Sequence, residues 1–336
     1  MVSLRSRVAS WLAVAVIAFP ATNASATDLR VAMQYGLTYL PLMIMKEDAL
    51  VEKHARRLGV EDLNVEWGRF ASGSVMNDAL LSGRLDIVPA SVSAYLTLWS
   101  KTAGTPNAVI GLCSLNSLPL FLNTRDPRIH ELKDLSSGDK IALPAVKVST
   151  FAIALQMQAA KLYGQDNYSR FDKLTVSMPH PEAMAALLSG AGEINNHFTS
   201  PPFNFLELAD PRVRTILDTK TVFGGPVSFA MNYTTVKFYK ANPKLVEAFL
   251  AAFKEATDQI NADKRKAAQR YIELSNEKAT VDLVERILRH PDTDFTLAPQ
   301  GTMQIAAFMH KIGSLTNKPN SWQELFVPEI RDLPGS

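Results

Sequence analysis

The segment Ala79-Leu80-Leu81-Ser82-Gly83-Arg84-Leu85-Asp86-Ile87 returns about 107 positions later as Ala186-Leu187-Leu188-Ser189-Gly190-Ala191-Gly192-Glu193-Ile194, far beyond the ~20 to 50 residues of a solenoid repeat. Each copy ends an apolar helical run on glycine, the residue that closes a helix in the left-handed conformation, and then places an acidic residue before an isoleucine that starts a strand. Each is also preceded by a strand-like segment, a loop and a helix, with Phe70-Ala71-Ser72-Gly73-Ser74 leading into the first and Ser177-Met178-Pro179-His180-Pro181 into the second. A helix-to-strand corner repeated at this distance calls for two domains of like plan. Length agrees, because a chain of 336 residues exceeds the ~250 to 300 at which single cores stop growing.

The local pattern gives the class. Leu29-Arg30-Val31-Ala32-Met33 reads as a strand, followed by a turn at Gly36 and a helix with Pro41 in its first turn. Val65-Glu66-Trp67 is strand-like, Val75, Met76, Ala79 and Leu80 recur at helical spacing, and Leu85 to Ala90 is an apolar strand. Strands alternating with amphipathic helices predict an α/β fold, each lobe a mostly parallel sheet covered by helices. Two extended runs, Leu115 to Asn123 and Gly224 to Asn232, are candidates for crossing between lobes and would make a two-strand hinge. From Pro243 to about Ile312 the chain reads as helix, with Leu245, Val246, Phe249, Leu250 and Phe253 on one face expected to pack back on the first lobe. The expected division is 27–117 for the first part of lobe 1, 118–226 for lobe 2, and 227–336 for the return to lobe 1 with the C-terminal helices.

At the N-terminus, Arg5 and Arg7 precede the apolar run Val8 to Phe19, Pro20 breaks it, and Ala24-Ser25-Ala26 supplies a small-x-small cleavage site. This reads as a signal peptide over 1–26, cleaved after Ala26, which predicts an exported, periplasmic protein. One cysteine, Cys113, allows no intramolecular disulfide and no CxxC motif. Lys and Arg total 35 against 33 Asp and Glu, a formal charge of +2, which gives no basis for nucleic-acid binding or a polybasic membrane anchor. A charged ligand must then be met by a local site.

In α/β sheets ligands bind beyond the carboxyl ends of strands, where helix N-termini offer unpaired N–H groups and partial positive charge. Three loops fit. The first holds Gln34, Leu37, Thr38 and Tyr39; the second holds Ser72, Gly73 and Ser74; the third, after the strand Lys140 to Leu143, holds Lys147, Val148, Ser149 and Thr150. Hydroxyls there serve either a ligand or the N-cap of the following helix, and Lys147 reads equally as a solvated charge. A further loop, Asn195 to Pro202, carries His197, Phe198 and Thr199, and its counterpart in the first copy holds Ala90 and Ser91. For His197 a satisfied loop histidine, and for Phe198 a core position, are equal readings. There is no GxSxG, HExxH, Walker A or strand-linked GxGxxG motif, and the six histidines are scattered; no catalytic residue, metal or cofactor is assigned.

The chain resembles the exported type II periplasmic binding proteins of the nitrate, sulfonate and taurine class over nearly all of the expected mature sequence. The resemblance rests on Tyr39-Leu40-Pro41-Leu42 with Ala49 to His54, on Phe70 to Ser74, on Ala79 to Ile87, on Ile141 to Thr150 and on His197-Phe198-Thr199-Ser200-Pro201-Pro202. It implies a monomeric two-lobed receptor that takes a small molecule, a sulfonate, taurine or carboxylate, into its cleft and delivers it to an inner-membrane ABC permease with ATPase subunits. Two departures bear on the ligand: Val148 stands where many members have glycine, and Asn195, Thr199 and Ser200 stand where tryptophan and an acidic residue are common. The wider group also includes receptors for pyrimidine precursors of thiamine and other rings, and intracellular pyrimidine synthases; export weighs against the enzyme.

Overall fold

The computed structural model describes residues 27–336; the signal peptide expected over 1–26 lies outside the described residues. The strands are β1 (Thr27–Met33), β2 (Leu63–Arg69), β3 (Ile87–Ser91), β4 (Val109–Ser117), β5 (Phe121–Thr124), β6 (Lys140–Leu143), β7 (Thr175–Ser177), β8 (Ile194–Thr199), β9 (Arg214–Asp218) and β10 (Ser228–Thr235). They form two five-stranded sheets, ordered β2-β1-β3-β10-β4 and β7-β6-β8-β5-β9. In the first, β1 runs parallel to β2 and β3, while β10 is antiparallel to both β3 and β4. In the second, β6 runs parallel to β7 and β8, while β5 is antiparallel to β8 and β9. Each sheet is thus mixed, with a single reversed strand in the same place.

That reversal has a topological cause. β5 is the first strand laid down after the chain enters the second sheet, and β10 is the strand on which it returns to the first. A strand delivered by a crossing, and not by a strand–helix–strand unit, arrives from the opposite end. The expectation of mostly parallel sheets holds for the four co-directional strands of each. The repeated nonapeptides occupy matching positions, since the helices Gly73–Leu81 and His180–Ser189 lead through Gly83 and Gly190 into the central strands β3 and β8. Both glycines have positive φ, 71° and 63°, where a side chain would be strained. The acidic residues of the two copies diverge: Asp86 is buried and accepts from Arg30 Nε and Nη2 at 2.9 and 2.7 Å, whereas Glu193 is exposed.

The first crossing is broken. Leu115 to Asn123 does not form one strand; β4 ends at Ser117 and β5 begins at Phe121. Pro119 between them has no N–H to give a ladder. The second crossing, Gly224 to Val227, precedes β10. Beside both, Ser117 and Asp294 exchange backbone hydrogen bonds at 2.8 and 3.0 Å and Ser228 N–H donates to Gln300 O at 2.9 Å, so the C-terminal part of the chain braces the crossings. The helix Pro243–Ala262 packs against Leu40–Glu47 and Leu50–Arg57, and Glu255 accepts from Lys53 and pairs with His54 there. Its inward face includes Leu245, Val246, Phe249 and Phe253, all buried. The free edge of β4 is covered by a bridge from Gly111 to Phe326, which removes an exposed pairing edge. Among the described residues no helix is long and apolar enough to cross a membrane.

Candidate functional site

One cavity, with room for only about 30 Å³ in this clasped form, collects residues from the carboxyl ends of the co-directional strands of both sheets. Gln34 and Tyr35 follow β1, Gly73 and Ser74 open the helix after β2, and Ser91 ends β3; from the other side, Pro144 and Ala145 follow β6, His180 follows β7 and Ser200 follows β8. This is the position at which α/β folds bind ligands; with the lobes clasped the space is about that of one water molecule, so a small molecule fits only when the lobes part. A larger, more open groove of about 730 Å³ runs along the outside of the second lobe past Ser136, Lys147, Arg170 and Asp172.

Four helices begin at the cavity: Gly73–Leu81, Val92–Thr102, Thr150–Tyr163 and His180–Ser189. Two of these ends are capped by side chains, Ser91 Oγ accepting from Ala94 N–H at 3.4 Å and Ser149 Oγ from Ala152 N–H at 3.3 Å. The ends at Gly73 and His180 carry no side-chain cap. At Gly73, the preceding Ser72 is extended and its side chain makes no cap, so the first N–H groups of this helix remain as donors. Aromatic rings of Tyr35, Tyr39, Phe151 and Phe229 line the walls, with Phe151 and Phe229 meeting across the lobes at 5.2 Å between centroids. Burial pushes the Tyr39 phenol up, keeping it protonated as a donor. None of the lining residues is Lys, Arg, Asp or Glu, and the Arg69 guanidinium stands over the Tyr35 ring at 5.1 Å. The field in the cavity therefore comes from helix ends and hydroxyls, which favours a negative group without offering it an ion pair.

The lobes are clasped around this space. Leu37 N–H donates to Pro201 O at 3.0 Å, Ser93 Oγ to Val148 O at 2.7 Å, and Thr150 Oγ1 to Phe229 O at 3.5 Å. Gly36 permits the first contact: its φ is 100°, and a Cβ there would lie 3.2 Å from Pro201 O.

Of the residues expected from sequence, Gln34, Tyr39, Gly73, Ser74, Ser91 and Ser149 line the cavity. Leu37, Thr38 and Ala90 are buried behind it, Thr38 O accepting from Asn116 Nδ2 at 2.8 Å. Ser72 is half-buried next to the lining. Val148 and Thr150 are taken up by the contacts between lobes. Lys147 is exposed on the outer groove, turned out by its positive φ of 65° within a tight turn closed by Val148 N–H and Val146 O. His197, Phe198 and Thr199 belong to β8, not to a loop, and are buried. Sequence reading did not name Tyr35, Ala94, Pro144, Ala145, Phe151, His180, Ser200 or Phe229 as ligand residues. Tyr35 and Ser200 lie in loops it did select, and His180 lies in the segment before the second repeat; nothing local marks Phe151 or Phe229.

Behind the cavity wall is a buried chain of polar side chains. His180 Nδ1 lies 2.9 Å from His197 Nε2 and 3.0 Å from Thr199 Oγ1, and His197 Nδ1 lies 2.5 Å from Glu207 Oε1. Glu207 Oε2 accepts from Asn123 Nδ2 at 2.9 Å. Burial, reinforced by His197, pushes the pKa of His180 well below the ordinary histidine range, so the ring facing the cavity is neutral. Cys113 is buried away from this site and its thiol is pushed up to about 12 by burial, which leaves it inert. Among the described residues no cluster of three His, Cys, Asp or Glu side chains is placed to hold a metal ion.

A family model described as the NMT1-like family matches residues 22–274. Among solved structures, the alkanesulfonate-binding protein SsuA from Xanthomonas axonopodis pv. citri, bound to MOPS, superposes with a TM-score of 0.66 at 17% identity, covering 88% of this chain and 96% of that one. The periplasmic aliphatic sulphonate-binding protein SsuA from Escherichia coli gives 0.62 at 18%, over 90% and 99% of the two chains. The periplasmic nitrate-binding protein NrtA from Synechocystis PCC 6803 gives 0.61 at 16%, over 89% and 84%. No curated protein matches the chain. At these identities the structures share the two-lobed binding-protein fold with this chain, and the neighbours are binding proteins and not enzymes.

Proposed function

This chain belongs to the NMT1-like family, and from that premise we propose that it is the exported solute-binding component of an ABC importer, capturing a small organic anion of the sulfonate or carboxylate class between its lobes and delivering it to the permease. The observation that carries the reading is the convergence of four helix N-termini, two of them without a side-chain cap, on a cavity walled by aromatic rings and free of formal charge. Backbone N–H groups, the Ser74 and Tyr39 hydroxyls and Gln34 meet the anionic group, and Tyr35, Phe151 and Phe229 cover its organic body. Binding is without chemistry. The lobes turn about the crossings at 118–120 and 224–227, exclude water, and present a joint surface to the permease. Of the sixteen residues that the sequence offers as ligand contacts, this reading retains the six on the cavity wall.

The same lack of a cation, together with four aromatic rings, favours a second reading, a neutral ring such as a pyrimidine. Thermal shift separates the two. Ligand at a hundredfold excess over its dissociation constant stabilises by about 2.7 kcal/mol, a readable change in melting temperature. Alkanesulfonates, taurine, nitrate and aliphatic and aromatic carboxylates are set against amides and pyrimidines. Stabilisation by the anions is expected; stabilisation by pyrimidines alone moves the assignment to the second reading, and no response from either series removes the receptor assignment for both classes.

A further inference from the structure

We infer that His180 is the side chain with which the second lobe selects its ligand, and that Glu207, acting through His197, fixes the tautomer of His180 so that Nε2 faces the cavity as a hydrogen-bond acceptor. The ligand must then carry an N–H or O–H donor at that point, in addition to whatever group meets the helix ends. The inference rests on the receptor reading and narrows its ligand class.

The assignment follows from counting donors. Glu207 has no exposed surface, and its two oxygens meet His197 Nδ1 at 2.5 Å and Asn123 Nδ2 at 2.9 Å. An amide N–H only donates and a carboxylate only accepts, so the proton of His197 sits on Nδ1. Thr199 Oγ1 directs its own proton to Ser200 O at 3.4 Å, which leaves a lone pair toward His180 Nδ1 at 3.0 Å. His197 Nε2 is 2.9 Å from that same Nδ1. One N–H shared between two acceptors satisfies this arrangement; a single ring lone pair receiving two donors does not. Nδ1 of His180 therefore carries the proton. A neutral imidazole has only one, and Nε2 on the opposite edge keeps its lone pair.

His180 lines the cavity, and Nε2 has no protein partner among the described residues. Turning the ring would put carbon where Nδ1 stands and break both of its contacts, and Phe151, edge-on at 5.5 Å, and Phe203, at 5.5 Å, pack against the present orientation. A buried acceptor left unpaired on ligand binding discriminates against ligands without a matching donor.

Nitrogen-resolved NMR of histidine-labelled, ligand-free protein reads the tautomer directly. His180 protonated on Nδ1 is expected; protonation on Nε2, or on both nitrogens at neutral pH, overturns the inference without reference to any ligand. Glu207→Gln supplies the reverse case. Asn123 holds the new amide oxygen, the amide NH₂ then donates to His197 Nδ1, and the proton order along the chain inverts, so that His180 presents Nε2–H. Matched probes test the consequence: 2-hydroxyethanesulfonate against ethanesulfonate, 4-hydroxybenzoate against benzoate, and 4-aminopyrimidine against pyrimidine. In the unaltered protein at least one donor-bearing probe binds on the order of tenfold tighter than its partner, roughly one matched hydrogen bond, and Glu207→Gln abolishes or reverses that preference. Pairs that bind equally well overturn the inference and leave the receptor standing. Silence across all pairs counts against the receptor assignment, while the spectrum still decides the tautomer. Should Glu207→Gln fail to fold, the unaltered protein carries both decisive measurements.

Discussion

Burial decides the charge of His180. The ring is enclosed by Phe151, Phe203 and His197, desolvation disfavours the imidazolium, and the neighbouring imidazole adds to it, so its pKa falls well below the ordinary value of 6.5. The titratable groups that face it are His197 directly and Glu207 one ring further back. The sign for stability follows from proton counting. Between the depressed folded pKa and the unfolded one, the unfolded chain binds the additional proton, so this contribution is present above about pH 6.5 and is lost as pH falls below it. One such proton contributes a slope of at most about 1.4 kcal/mol per pH unit. Denaturant unfolding at about pH 7.5, 6.5 and 5.5 should show the decline, and His180→Gln should flatten it whatever the variant does to the absolute midpoint. An unchanged slope would place the titration elsewhere.

Helix ends and corner glycines were legible because their signals are local. Ser149 reads from sequence both as an N-cap and as a ligand donor, and its Oγ accepts from Ala152 N–H at 3.3 Å while the residue lines the cavity. Ser149→Ala should cost about 1 kcal/mol of stability through the lost cap, measured by denaturant midpoint, and any weakening of ligand beyond that reports on a separate donor role; a variant as stable as the parent would mean that solvent replaces the cap. β8 shows what local reading misses. Asn195, Asn196 and His197 look like a loop because they are polar, yet they occupy the second sheet, since Asn195 Nδ2 donates to Asp139 at 2.7 Å and His197 is held by Glu207 and His180. Polar groups satisfied by one another are tolerated in a core, and their partners lie ten to more than fifty positions away in sequence, as the separations of 10, 17 and 56 show. The direction of β5 and β10 was hidden for the same reason, being set by remote partners. Phe151 and Phe229 come together only when the lobes meet.

Two sheets of like order, each with its returning strand reversed in the same place, are connected along the chain at 118–120 and 224–227, which is where the receptor reading puts the hinge. Specific polar contacts hold the clasped form. Ser93 Oγ to Val148 O at 2.7 Å and Leu37 N–H to Pro201 O at 3.0 Å close the rim of the cavity, and Lys220 reaches Asp292 at 2.8 Å on the side of the second crossing. On the receptor reading a ligand enters between them, which calls for an open form, and binding then draws the population toward the clasped form in proportion to its preference for it. Ser93→Ala removes one clasp without touching the sheets. A single hydrogen bond of about 0.5 to 1.5 kcal/mol changes the open-to-closed ratio roughly 2- to 12-fold, so the ligand-free variant should show a larger radius of gyration by small-angle scattering than the parent. Saturating ligand should return both proteins to the same compact value, with the variant needing several-fold more ligand to reach it. Identical scattering from parent and variant, free and saturated, would mean that the lobes form one rigid body and that the ligand gains access by some route other than the hinge.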